Sequence, residues 1–163
     1  MAMSLFGTAA LLAATVASGL QAGLYYAFAC AVLPGLARDD DRTFVGFMQQ
    51  VNVAIINPWF LATFLGAPVL SGAAVVLQIG GSRSTLVATA AGFALAVATV
   101  VITAAANVPL NNRLAAVGDP DQSGDLAGVR AAFETTWARW NIARVLTSTG
   151  SLIALAAALA IGP

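Results

Sequence analysis

Apolar positions fill four long stretches of this chain, and polar positions gather near their ends. The first stretch runs from Leu5 to Leu36, longer than the roughly 20 residues a helix needs to cross a bilayer. Leu33-Pro34-Gly35 reads as its stop, ahead of Arg38-Asp39-Asp40-Asp41-Arg42. An aspartate of that run is placed to cap the next helix. From Thr43 the pattern is amphipathic, with Phe44, Phe47, Met48, Val51 and Ile55 at helical spacing, and it turns wholly apolar after Pro58. This predicts one long second helix over 43–79, bent or restarted at Asn57-Pro58. Gly80-Gly81-Ser82 makes a tight connection to a third helix over 85–115, kinked at Pro109. An exposed loop follows over 118–124. Leu126 to Trp140 then leads into a fourth span over 137–161. The predicted fold is all-α: a single-domain integral membrane four-helix bundle with a long kinked second helix. No basic segment precedes the first stretch, which argues against a cleaved signal peptide.

Composition agrees with lipid as the solvent. The 163 residues are 60% hydrophobic and 9% charged, against about 25% charged in a soluble domain, and the mean hydropathy is +0.87. The net charge is zero, which argues against a nucleic-acid surface. All seven basic residues are arginine, a bias typical of a high-GC genome. Histidine is absent, which removes the commonest metal ligand and general base. The single cysteine, Cys30, forms no internal disulfide and reads as a buried, inert thiol. Neither a metal nor another cofactor is expected.

Four spans put both termini on one side. The loops after the first and third spans hold Arg38, Arg42, Arg113 and Arg130, with Arg139 just beyond, and the other side holds only Arg83. The positive-inside rule makes the first set cytoplasmic and both termini external. The expected location is the plasma membrane of a bacterium.

Large polar side chains within membrane spans are costly and face protein or water. Helix one carries Gln21 and Tyr25, four apart on one face, with Tyr26 beside them. Helix two carries Gln49, Gln50, Asn52 and Asn57, and helix three Asn107 and Asn111. Helix four carries Trp137, Asn141 and Arg144 on one stripe, with Trp140 adjacent. All but the first group lie towards the loop end that holds the arginines. Taken singly, each residue reads as structural: amides as interhelical glue, the tryptophans as an aromatic belt, Arg144 as a snorkelling cation. Taken together, they read as the lining of one pocket. Gly19 and Gly23 form a small-xxx-small pair suited to close packing or to contact between copies of the chain.

Met48-Gln49-Gln50-Val51-Asn52 with Ile56-Asn57-Pro58 resembles the start of helix two in the anthrone oxygenase-like membrane family. Asn107-Val108-Pro109-Leu110-Asn111 and the run from Trp137 to Arg144 resemble its other two signatures, and Leu33-Pro34-Gly35-Leu36 fits the end of its first helix. The resemblance spans most of the chain. It implies oxidation of an anthrone-like polycyclic aromatic to a quinone, with O₂ reduced by the substrate anion itself. Such a site needs a flat apolar slot and donors for an oxyanion. Trp137, Trp140 and Tyr25 are candidates for the slot, with Gln49, Asn57 and Asn111 beside them. Arg144, Asn141, Asn107 and Asn52 are candidates for stabilising the anion. No base is evident, so a water or a tyrosine must serve. Two alternatives stay open: a membrane accessory protein holding a quinone, lipid or partner helix without turnover, and a purely structural bundle.

Overall fold

The computed structural model describes residues 5–162. The elements run in order as α1 (Leu5–Ala27), a π-helical turn (Phe28–Val32), α2 (Leu33–Leu36), α3 (Asp41–Ala54), α4 (Pro58–Leu77), α5 (Arg83–Ile102), a second π-helical turn (Thr103–Asn107), α6 (Val108–Ala115), a 3₁₀ turn (Pro120–Gln122) and α7 (Leu126–Ile161). No strand occurs among the described residues. Four stretches are long and apolar enough to cross a membrane: Leu5–Leu36, Pro58–Leu77, Arg83–Ala115 and Leu126–Ile161. Outward faces carry exposed Leu5, Phe6, Val16, Leu20, Val69 and Leu146, a surface suited to hydrocarbon rather than water.

Side-chain caps fix the helix starts. Asp40 Oδ1 accepts from the Thr43 amide at 2.9 Å and begins α3, and Asp125 Oδ1 accepts from the Gly128 amide to begin α7. The second apolar stretch is restarted rather than bent. Asn57 Oδ1 accepts from the Phe60 amide at 3.1 Å while its Nδ2 donates to the Ala54 carbonyl at 2.9 Å. One amide thus closes α3 and opens α4, with Pro58 in the first turn, where its missing N–H is harmless. Gly80 and Gly118, both at positive φ, follow α4 and α6.

The two prolines predicted as a stop and a kink lie within spans that continue past them. A proline ring clashes with the carbonyl four residues before it. In both spans the turn ahead of the proline is widened: the Leu33 amide bonds the Phe28 carbonyl, and the Val108 amide bonds the Thr103 carbonyl. These i→i−5 bonds give Pro34 and Pro109 room without ending the span.

At the arginine-rich loop end, Leu33, Leu36, Phe44, Val45, Met48, Leu114, Phe133 and Trp137 form one buried cluster, with α3 packed across it. At the other end Leu11, Ala14, Ala74, Leu155 and Ala158 form a second. Small residues and hydroxyls join the spans between them. Ser18 and Ser151 pair at 3.1 Å, Ser151 donates to the Gly92 carbonyl at 2.8 Å, and Thr99 pairs with Thr147 at 2.8 Å. The closest backbone approach of this kind is at Gly92, where a Cβ would come within 2.6 Å of Leu155. Gly19 faces Leu152 at ordinary contact distance and Gly23 meets nothing within 4 Å, so this pair is not a close-packing seam within the chain.

Two other expectations change. Cys30 is exposed rather than buried, because it lies on the outward side of the first π-turn. Arg130, expected only as a loop cation, ties three segments together. It bonds Glu134 at 2.8 Å, Asp41 at 3.1 Å and the Asp39 carbonyl at 2.9 Å, with its guanidinium 4.5 Å from the Phe44 ring centre.

Candidate functional site

A cavity of about 260 Å³ lies between the spans, just inside the loop-end cluster. Small-molecule sites start at about 300 Å³, so it suits a compact ring system better than a long chain. Its wall draws on every span and on the end of α3. Tyr25 and Phe28 come from the first span, Asn52 from α3 and Ile55 from the break after it, Phe60 and Phe64 from α4, Thr103 and Asn111 from the third span, and Trp137, Asn141 and Arg144 from α7.

The α7 stripe is the polar spine. Positions 137, 141 and 144 fall on one helical face, and all three side chains are buried. Asn141 Nδ2 donates to the Tyr25 carbonyl at 3.0 Å, and Asn141 Oδ1 accepts from Arg144 Nη2 at 2.9 Å. The Arg144 guanidinium carbon sits 4.4 Å from the Tyr25 ring centre and 5.0 Å from that of Trp137, held between two aromatic faces. Trp137 Nε1 donates to Asn111 Oδ1 at 2.8 Å, which locks both the indole and the amide. Phe28 packs on Trp137 at 5.7 Å, and Phe60 and Phe64 stack at 5.2 Å.

The electrostatics are one-sided. Arg144 is 6% exposed and takes part in no salt bridge among the described residues. Its Nε, the Asn52 Nδ2 and the Tyr25 hydroxyl are buried without hydrogen bonds of ordinary geometry. The Tyr25 hydroxyl lies within reach of Thr103 and of the Arg144 charge. Three residues with incompletely satisfied polar atoms therefore share one aromatic-walled cavity. A group with spare lone pairs, an oxyanion or a carbonyl, is what they can bind. Tyr25 and Arg144 are the titratable side chains on the wall. The described residues hold no cluster of three His, Cys, Asp or Glu side chains suited to a metal.

The sequence-predicted residues divide. Tyr25, Asn52, Asn111, Trp137, Asn141 and Arg144 share the cavity. Asn107 is fully buried with both amide atoms unpartnered, yet it is not on this wall. Gln49 Nε2 donates to the Leu114 and Gly118 carbonyls, each at 2.9 Å, and stitches α3 to the end of α6. Asn57 is occupied as a helix cap. Trp140 is 43% exposed on the outward face, where an aromatic belt would place it. Sequence reasoning missed Phe28, Phe60, Phe64 and Thr103. Phe60 and Phe64 had a signal: an aromatic pair four apart, directly after the Asn-Pro restart.

A comparison with family models matches residues 58–161 to the family described as Anthrone oxygenase. No curated protein and no solved structure matches the chain.

Proposed function

Because this chain belongs to the anthrone oxygenase family, we propose that its cavity oxidises an anthrone-like polycyclic aromatic to a quinone with O₂ and no cofactor. The observation that carries this reading is Arg144, a cation buried between aromatic rings with no carboxylate beside it. Desolvating a charge costs several kcal/mol, and an anionic ligand supplies the missing partner.

The chemistry follows from the substrate. An anthrone has an acidic ring CH₂, and loss of one proton gives an aromatic oxyanion. Arg144 and Asn52 donate to that oxyanion and favour its formation. The proton leaves to water, with the Tyr25 hydroxyl as the relay at the wall. The electron-rich ring carbon passes an electron to O₂, and the pair combines to form a C–O bond. The peroxide takes up a proton. The second ring hydrogen then leaves as a proton while the O–O bond breaks, so water departs and a C=O remains. Trp137, Phe28 and the Phe60–Phe64 pair hold the ring system flat throughout.

The test is aerobic conversion of emodin anthrone by purified, metal-free protein in detergent. Quinone formation well above the spontaneous rate, and its loss in Arg144→Met, is the expected result. A wild-type rate equal to the spontaneous one refutes catalysis and leaves the cavity as a binding site for a quinone or lipid.

A further inference from the structure

We infer that the cavity opens sideways to the hydrocarbon of the bilayer, between the first turn of α4 and the first turn of α6, and takes a ligand dissolved in the membrane. This rests on the proposed function only for the class of ligand, a planar lipophilic aromatic with one polar oxygen. The exposed members of the cavity wall are Ile56 at 71%, Val108 at 42% and Leu61 at 39%. All three are aliphatic, and together they mark the mouth.

Their positions put that mouth at membrane depth. Leu61 lies within the span Pro58–Leu77 and Val108 within Arg83–Ala115. Val53 and Trp59, which flank the break at residues 55–57, are also strongly exposed. An apolar patch of this kind in water is an aggregation hazard; against lipid it is ordinary surface, and an exposed tryptophan suits the boundary of the bilayer. The break between α3 and α4 widens the mouth, because no helical turn spans residues 55–57.

The route from the loop end is shut. Below the cavity lies the packed cluster of Phe44, Met48, Leu114 and Phe133, and Gln49 fastens α3 to the Leu114 and Gly118 carbonyls across it. The lining is therefore graded, from aliphatic at the mouth through aromatic walls to the buried polar side chains of Arg144 and Asn141 at depth. A ring compound sliding in from lipid exchanges acyl-chain contacts for aromatic ones. Its polar oxygen leads and is desolvated only where Arg144 and Asn52 replace its partners.

Trp137 reports on the interior. With Trp59→Phe and Trp140→Phe it becomes the sole tryptophan, and the protein is placed in phosphatidylcholine vesicles whose acyl chains are brominated. The expected result is loss of most Trp137 emission to the brominated chains and little to aqueous acrylamide. Adding Leu61→Phe and Val108→Phe, which fill the mouth, should restore most of the emission. Quenching by acrylamide instead, or by neither agent, overturns the lateral opening. So does undiminished lipid quenching after the mouth is filled. Binding of 9,10-anthraquinone is measured separately in unbrominated vesicles by the saturable loss of Trp137 emission. Its absence would count against the catalytic reading and leave the opening standing.

Discussion

The Arg144 guanidinium stands 4.4 Å from the centre of the Tyr25 ring, and both residues are held by Asn141, which accepts from the first and donates to the backbone of the second. One amide thereby fixes α1, α7 and the charge between them. Under the proposed function, substrate oxygen would meet donors whose orientation is settled before binding, which is the condition for strong electrostatic stabilisation of a developing anion.

Arg144→Met should lower quinone formation by about 10²–10³-fold, the usual loss on removing an oxyanion donor. Its thermal unfolding midpoint in detergent should fall only modestly, since a buried charge without a counter-ion leaves while the buried Asn141 Oδ1 loses its donor. Arg144→Lys should not restore the rate, because an ammonium lacks the planar face that lies between Tyr25 and Trp137. Full activity in the lysine variant would show that charge alone suffices.

Asn57→Ala removes the cap and the brace at the α3–α4 break and should cost about 0.5–2 kcal/mol of stability. Asn57→Gly should cost only a few tenths of a kcal/mol. Thermal unfolding in one detergent ranks the two. Equal losses would show that the brace to the Ala54 carbonyl outweighs the cap.

The Thr43 amide and hydroxyl hold the Asp40 carboxyl below its ordinary value of 3.8. A carboxyl depressed on folding stabilises above its unfolded pKa, and that gain is lost as pH falls through the folded value. The variant Asp40→Ser keeps a capping oxygen that does not titrate. The advantage of wild type over this variant should be constant near neutral pH, then shrink below about pH 4. Melting curves of both proteins from about pH 6 to about pH 3 follow it, and an advantage that grows on acidification would contradict the assignment.

Gly92→Ala drives a methyl group to 2.6 Å from the fully buried Leu155 side chain and should cost about 1–3 kcal/mol. Gly23→Ala meets open space and should cost nothing. Thermal unfolding of the two variants separates them. Loss of an oligomer on Gly23→Leu, seen by light scattering in detergent, would assign that face to contact between copies.

The spans, the restart at Asn57 and the polar stripe of α7 are legible in the sequence because each depends on local spacing and end chemistry. A run of apolar residues measures bilayer thickness, Asn-Pro supplies a cap and a first turn, and positions 137, 141 and 144 share a face by helical arithmetic alone. That Gln49, Asn57 and Trp140 stand off the cavity wall was not legible. A polar or aromatic residue near a helix end serves a pocket, a backbone carbonyl or the lipid boundary equally well, and only neighbours distant in sequence decide. Gly92 escaped for the same reason: its need for smallness comes from Leu155, far along the chain. The walls formed by Phe28 and Thr103 depend on the π-turns, which no periodic pattern announces.

The wide turn at Thr103–Asn107 also resets how this span must be counted. Thr103 and Asn111 share the cavity wall although eight positions separate them, a spacing that leaves residues about 80° apart on an unbroken α-helix. One extra residue taken up by the turn brings them to within about 20°. In an alignment with a straight helix this segment therefore calls for a one-residue gap. A relative lacking both that residue and the proline after it would still present Asn111 to the same partner.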